Sequence, residues 1–370
     1  MLKKYNNESI ILVNSLGMGG AEKIALMISN GLNIKIITLE PDCFYDSDNV
    51  LSLSHLPIFF PRFMHRLYST LHFPIYVLTH NIKTVQSHML ISNIINALFS
   101  KIVGHRSILV QHSNLEKHLG RKGVGNLMRI SFGFSDKLVC ISKEMLNDAR
   151  QNLPNVDSVL IHNPCDINNI INMSNEINEI NEINEINEIT GTNGDYYVVL
   201  GRLFSGKRLF DIINAFHMSK SNTNCFFIGD GPDMDILKNK VKILGLEDRL
   251  KFIGSRKNPF LFLKGAKAII LASESEGFPN CLIEAMVLGV PIISSDCKTG
   301  PGEIMNMDLN GELKCRKNEF GYLFKVGDVN TLANIISEFD SSDFFADDLM
   351  RQANKFSLNH ALVKYKQLMN

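Results

Sequence analysis

Two carboxylates eight residues apart, Glu276 and Glu284, and two cations five apart, Arg202 and Lys207, stand out for chemistry. Glu276 lies in a polar loop rich in Ser, Glu, Gly and Pro. Glu284 lies in the run that follows, Cys281 to Leu288, which is made of good helix formers. A loop carboxylate followed by a helix carboxylate is suited to accepting hydrogen bonds from polyol hydroxyls. Arg202 and Lys207 precede another predicted helix, and two cations with a helix dipole suit a diphosphate, each phosphate oxygen gaining a charge-assisted hydrogen bond. Each pair has a plainer reading too: the dipole favours any Glu near a helix start, and Arg and Lys populate exposed loops.

The elements that position these groups follow from the flanking residues. Ala268 to Leu271 is a short apolar run, Gly289 and Pro291 stop the helix, and Pro291 to Ser294 reads as a buried strand. The unit is strand, loop, helix, strand, and open parallel sheets bind ligands at the carboxyl ends of their strands. Upstream, Tyr196 to Leu200 reads as a strand, and Leu209, Ile212, Ile213 and Phe216 mark a helix face, with GRLFSGKR between them. Cys225 to Ile228 ends in a tight turn at Gly229-Asp230-Gly231-Pro232, where the glycines serve either close backbone approach to a ligand or turn geometry alone. Lys251 to Ile253 forms a further strand, ending at Gly254.

The first half shows the same alternation. Ser9 to Val13 is a strand, and Ala21, Ile24, Ala25 and Ile28 line one helix face. The loop between them, with Gly17, Gly19 and Gly20, leaves backbone N–H groups free at a helix start, which suits an anion or simply reverses the chain. Strands at Ile34 to Leu39, Thr84 to Ser87, Ile108 to Gln111, Lys137 to Cys140 and Ser158 to Ile161 follow. Two of them end at histidines, His88 and His112, which point into a crevice or serve the structure.

With 370 residues, 45% of them hydrophobic, the chain suits two domains, each with its own core. A net charge of +0 gives no reason to expect nucleic acid as a partner. Charge is uneven along the chain: residues 1–173 hold 16 Lys+Arg against 12 Asp+Glu, and the remainder 22 against 26. No acidic residue falls between Asn49 and Leu115, where Arg62, Arg66, Lys83, Lys101, Arg106 and seven of the eleven histidines lie. This half is therefore expected to face something anionic. Leu56 to His80 mixes Phe, Tyr and Leu with Arg and His, as either an interfacial helix on anionic lipid or a helix packed on the sheet would. Seven scattered cysteines without a C-x-x-C pair indicate neither zinc nor disulfides, so a reducing cytoplasm is the expected setting. The N-terminal apolar run is too short for a signal peptide, and no run approaches the roughly 20 apolar residues of a membrane span. A soluble or peripheral protein is expected.

Residues 175–189 are five tandem copies of Asn-Glu-Ile. A period of three walks its isoleucines around a helix, so this insert is expected to be a spacer without chemistry. A partner-binding segment is the other reading.

The string SESEGFPNCLIEAMVLGVPIISSDCKTGPGEI closely resembles the E-x7-E region of glycosyltransferase family 4, whose members move sugars from nucleotide donors with retention of anomeric configuration. GMGGAEK resembles the family's N-terminal Gly-Gly-Ala-Glu loop, QSHM and VQHSN its histidine segments, HNPCDIN its Asn-Pro-x-Asp element and GRLFSGKR its Gly-Arg-Leu-x-x-x-Lys loop. The resemblance implies an α/β chain of GT-B fold, two facing Rossmann-like domains with the active site in the cleft. The implied division is an acceptor-side domain over 1–165, a linker over 166–194, a nucleotide-sugar domain over 195–352 and a terminal helix over 353–370 that crosses back. It further implies that Glu276 holds donor-sugar hydroxyls, Glu284 the ribose, and Arg202 and Lys207 the diphosphate. His112 would sit near the reacting centre. Donor contacts would come from Gly19, Gly20, Gly229, Gly231, Gly254, Gly277, Phe278, Pro279, Asn280 and Glu284. The implied partners are a UDP-sugar as substrate and a lipid-linked glycan acceptor at the cytoplasmic face of an anionic inner membrane. No cofactor or essential metal is expected. The remaining rivals are a nucleotide-sugar epimerase, a non-catalytic sugar-nucleotide-binding module and an interaction protein.

Overall fold

Runs such as Ile10–Val13, Ile108–Val110 and Tyr196–Val199 are apolar without alternation because both faces of each strand are buried, the mark of parallel sheets covered by helices on either side. The computed structural model describes residues 6–17, 19–43, 49–113, 115–121, 123–176, 196–308 and 313–369. The chain divides into two units, one of Met1–Pro164 with Leu358–Asn370 and the other of Cys165–Ser357.

In the first unit, β1 (Asn6–Val13), β2 (Ile34–Thr38), β3 (Val50–Ser52), β4 (Thr84–His88), β5 (Arg106–Gln111), β6 (Lys137–Cys140) and β7 (Ser158–Leu160) form one parallel sheet in the order β3-β2-β1-β4-β5-β6-β7. The helix Gly20–Leu32 follows β1 and stops at Asn33, which takes the left-handed conformation, φ 54°. The last helix, Leu358–Met369, packs on it, with Leu362 against Gly31 and with Ala361 and Tyr365 buried.

The helix Arg62–Thr79 sends His65, Ser69, Phe73 and Val77 inward, where Phe73 and Val77 join a core of Ile10, Leu12, Ile37 and Val85. Its opposite face carries Phe63, Leu67, Leu71, Ile75 and Leu78, all exposed. The segment thus packs on the sheet by one face and leaves the other exposed. The cations of the acid-free stretch are largely matched within the chain. Arg66 Nε lies 2.5 Å from Glu40 Oε1, and Arg62 reaches Asp42 at 3.0 Å. Lys83 pairs with Glu8 at 2.7 Å, and Lys101 with Asp136 at 3.6 Å. Four of the five cations in that stretch thus meet the chain's own carboxylates.

In the second unit, β8 (Tyr196–Leu200), β9 (Asn224–Ile228), β10 (Leu250–Gly254), β11 (Ala268–Leu271), β12 (Ile292–Ser295), β13 (Cys315–Asn318) and β14 (Gly321–Phe324) run in the order β10-β9-β8-β11-β12-β14-β13. All pairs are parallel except the edge pair β13–β14. Tyr197, Phe216, Phe227, Ile270 and Phe324 lie in its core. The helix Ile167–Asn175, expected as linker, packs within this unit: Asn258 Nδ2 donates to Met173 O at 2.7 Å and Lys264 Nζ to Asn175 Oδ1 at 2.6 Å. The helix Ala346–Asn354 packs on Asn280–Val287, so the returning segment begins at Leu358 rather than at residue 353. All but the first two residues of the Asn-Glu-Ile insert, and Asp195, fall outside the described residues.

Candidate functional site

Strand order reverses between β8 and β11, because the chain leaves β8 toward β9 on one side and returns to β11 on the other. Such a switch point leaves a crevice at the carboxyl ends of the two strands. Arg202 and Lys207 follow β8, and Ser273 and Glu276 follow β11, so the crevice brings together residues 69 apart in sequence. Lys207 Nζ donates to Glu276 Oε1 at 2.6 Å, and both side chains are mostly buried. Burial pulls the Lys207 ammonium down, but the Glu276 carboxylate outweighs it and holds the ammonium above its usual value.

Glu276 is fixed from several sides. Ser273 Oγ donates to Glu276 Oε1 at 2.5 Å, Thr299 Oγ1 donates to the Glu276 carbonyl, and Ser295 Oγ donates to the Ser273 carbonyl at 2.7 Å. Lys207 closes the short turn Ser205–Lys207, whose Gly206 carbonyl accepts from the Glu274 N–H at 3.0 Å. One of the three ammonium donors is then spent on Glu276, which leaves two for a ligand. Arg202 is exposed and has no ion pair among the described residues. With Gly201, Lys207, Leu271 and Ala272 it lines a small pocket.

Glu284 sits half-buried in the helix Asn280–Val287. The Cys281 thiol ties it to the other charged groups. Burial pushes that thiol up to about 12, Lys207 opposes the rise, and both Glu276 and Glu284 add to it. Three of the four charged residues expected at the site therefore act electrostatically on one thiol that stays protonated. Pro279 precedes this helix and makes no side-chain cap. Phe278 turns its ring into the protein against Phe356, with ring centres 5.5 Å apart, so only its backbone can face a ligand. Gly277 and Asn280 flank it in the same loop and helix start.

Gly229 and Gly231 have a structural reason to be glycine. A Cβ at Gly229 would stand 2.0 Å from the Gly201 carbonyl oxygen, and one at Gly231 would stand 2.0 Å from that of Leu203. The loops after β8 and β9 touch backbone to backbone, with Leu203 N–H donating to the Asp230 carbonyl at 2.9 Å. Gly254, φ 72°, ends β10 in the left-handed region.

In the first unit His112 follows β5, half-buried, and stacks on buried His88, with ring centres 5.0 Å apart. Gln86 Nε2 and His88 Nε2 are 2.7 Å apart, as are His88 Nδ1 and His112 Nε2. With the amide donating, His88 passes its Nδ1–H to His112 Nε2, and His112 keeps its own N–H on Nδ1. Burial lowers His112 to about 4. Burial and the neighbouring His112 together hold His88 well below the usual imidazole range, so both rings are neutral at pH 7. At the loop after β1, Gly19 and Gly20 begin the helix Gly20–Leu32, but the Glu22 carboxylate folds back over Gly19. That helix start already faces a carboxylate of the chain.

Sequence reasoning missed Ser273, Ser295 and Thr299. Their only signal was polar residues at the ends of two apolar strands. Among the described residues no group of three or more His, Cys, Asp or Glu is placed to hold a metal ion. The expectation of metal-free chemistry rests on the sequence alone.

Residues 181–356 match the family described as Glycosyl transferases group 1, a stretch that lies within the second unit. Over 149 residues the chain is 29% identical to the lipopolysaccharide 1,6-galactosyltransferase of Escherichia coli, covering 39% of this chain and 39% of that enzyme. Over 160 residues it is 28% identical to the N-acetylgalactosamine-N,N'-diacetylbacillosaminyl-diphospho-undecaprenol 4-alpha-N-acetylgalactosaminyltransferase of Campylobacter jejuni, covering 43% of this chain and 40% of that one. The chain thus spans about two fifths of the length of these curated relatives. In fold it is similar to Anabaena HepE in complex with UDP, at a TM-score of 0.77 and 17% identity, covering 97% of this chain and 98% of that one. The fold is GT-B.

Proposed function

We propose that the chain is a retaining glycosyltransferase of family 4 that moves a hexose or N-acetylhexosamine from a UDP-sugar to a glycan acceptor carried on a polyprenyl diphosphate, in bacterial surface polysaccharide assembly. The observation that carries this reading is the Lys207–Glu276 pair, 2.6 Å long, at the switch point of a parallel sheet. Its support from relatives is the glycosyltransferase match over residues 181–356 and the galactosyl and N-acetylgalactosaminyl transfers in the relatives' names.

On this reading Glu276 accepts hydrogen bonds from the donor sugar and Glu284 from the ribose. Lys207 and Arg202 hold the diphosphate. As the bond from the anomeric carbon to the leaving phosphate oxygen breaks, negative charge gathers on that oxygen, and the two cations stabilise it. The leaving phosphate then takes the proton of the acceptor hydroxyl, so no side-chain nucleophile is required. Backbone groups from Gly277 to Asn280 assist. His112, neutral at pH 7, serves as a hydrogen-bonding group and not as a cation. The proposed location is the cytoplasmic side of the membrane, and the proposed reaction uses no metal.

A panel of UDP-sugars tests this directly. The true donor should raise the melting temperature by mass action and, given an acceptor, yield a product with the donor's anomeric configuration. An inverted product removes the retaining mechanism. Free sugar released without acceptor favours an epimerase. Protection by none of the donors removes the reading altogether.

A further inference from the structure

Gln86 is polar where the sheet around it is apolar. In the parallel register its neighbours are Ile11 on β1 and Ile108 on β5, so the three side chains share one face, and Gln86 is fully buried there. Its Nε2 lies 2.7 Å from His88 Nε2, and its Oε1 has no hydrogen-bond partner. A buried amide oxygen without a partner is destabilising, and a Leu or Met would fill the same position without that penalty. Packing therefore gives no reason for an amide here. His88, two residues on and on the same face, is also fully buried. Directly after it Met89 takes φ 71°, ψ 154°, a combination otherwise confined to glycine, and strain of this kind gathers at functional sites.

The three polar groups form a line. Two contacts of 2.7 Å lead from Gln86, in the middle of β4, through His88 to His112 at the carboxyl end of β5. Among the described residues nothing bonds to the last nitrogen of the line, His112 Nδ1. A neutral imidazole carries one N–H and one lone pair, so the direction set at Gln86 is passed to the far end. An amide that donates puts the proton on Nδ1 of His88 and then on Nδ1 of His112. Turned over, the same amide would accept at Oε1, draw both ring protons to Nε2 and leave His112 Nδ1 bare. Its NH2 would then be the orphan, and an orphaned buried donor is rarer than an orphaned carbonyl.

We propose that Gln86 and His88 are positioning residues that hold His112 as its Nδ1–H tautomer, so that the first unit offers a hydrogen-bond donor to a hydroxyl oxygen of the bound substrate. His112 steadies that oxygen and takes no proton from it, in keeping with a leaving phosphate that accepts the proton itself. The choice of substrate rests on the sugar-transfer reading, and the tautomer does not.

The test is 15N NMR of the full chain, labelled in histidine, at pH 7 and without any sugar. Protonated and bare ring nitrogens give well-separated signals, and His112→Ala assigns the residue. The parent should show His112 protonated at Nδ1 and bare at Nε2. Gln86→Met, similar in size but without the amide, should melt close to the parent and lose that preference, with the two His112 signals drawn together. Transfer should fall by up to roughly tenfold in Gln86→Met. The double variant Gln86→Met/His112→Ala should be no slower than His112→Ala alone, because Gln86 acts only through His112, whereas a general structural role would multiply the losses. Three outcomes overturn the proposal: a parent whose His112 is bare at Nδ1, an unchanged tautomer in Gln86→Met, or losses that multiply in the double variant. A parent with the expected tautomer that transfers no sugar supports the relay and counts against the catalytic reading alone.

Discussion

The two units share a strand order at their centres, with the first strand beside the fourth, yet they fill the crevice at that point with opposite chemistry. Between β8 and β11 the second unit places an ammonium against a carboxylate, Lys207 and Glu276. Between β1 and β4 the first unit places neutral groups: Asn14 Oδ1 accepts from Ser92 N–H and Oγ at 3.1 and 2.6 Å. Its titratable pair, His88 and His112, sits one strand further on and is held neutral by burial. Topology thus supplies a crevice, and the loops that follow the strands decide whether it stabilises charge.

The largest effect that tests this contrast is catalytic. Lys207→Ala and Glu276→Ala should each lower transfer by roughly a hundred- to a thousandfold. The double variant should fall short of the product of the two, because each has lost the other's partner. His112→Ala should cost roughly tenfold, the loss of one hydrogen bond. Equal losses at all three positions would break the comparison.

Acidity should separate the units next. Burial lowers buried His105 to about 4 from an ordinary 6.5, despite its hydrogen bond to Asn96 Oδ1 and the nearby Asp136. Its unfolded form binds a proton more readily, so the stability it contributes is complete above pH 6.5 and is lost as pH falls toward 4, about 3 kcal/mol in all. His112 acts in the same direction. Lys207 acts oppositely: raised in the folded state, its contribution is present below 10.5 and is lost only as pH climbs through its folded value. Denaturant titrations between pH 4 and 7 should show the slope, and His105→Gln should flatten it.

Smaller again is Gly231→Ala, which sets a Cβ against the Leu203 carbonyl. It should destabilise the second unit by about 2 kcal/mol by denaturant titration. The smallest expected effect comes from the repeat: on sequence grounds, deleting two or three Asn-Glu-Ile copies should leave activity and melting temperature nearly unchanged. A large loss there would refute the spacer reading.

Local patterns make most of the strands legible in the sequence. Lys137–Cys140, Tyr196–Leu200 and Ala268–Leu271 are mostly apolar runs with a charged residue at or just before their start, and they are strands at those bounds. The cationic loop after β8 and the carboxylate loop after β11 are legible as strings, and the structure adds that Lys207 and Glu276 meet at 2.6 Å. What stays hidden depends on distant partners. Nothing near Arg66 in sequence points to Glu40, 26 residues away, so the cations of that stretch read as unmatched. In the helix Arg62–Thr79 apolar residues recur on two faces, and periodicity does not say which of them meets the sheet. Ile167–Asn175 reads as linker because the residues that hold it, Asn258 and Lys264, lie 85 and 89 positions beyond their partners.

The helix Leu358–Met369 lies against Gly20–Leu32, at the other end of the polypeptide. A ribosome making this chain therefore releases nearly all of the second unit before it supplies the final piece of the first. The earlier part of the first unit must wait, incomplete, for residues 358–369, and removing them would damage a body whose other residues are translated long before them.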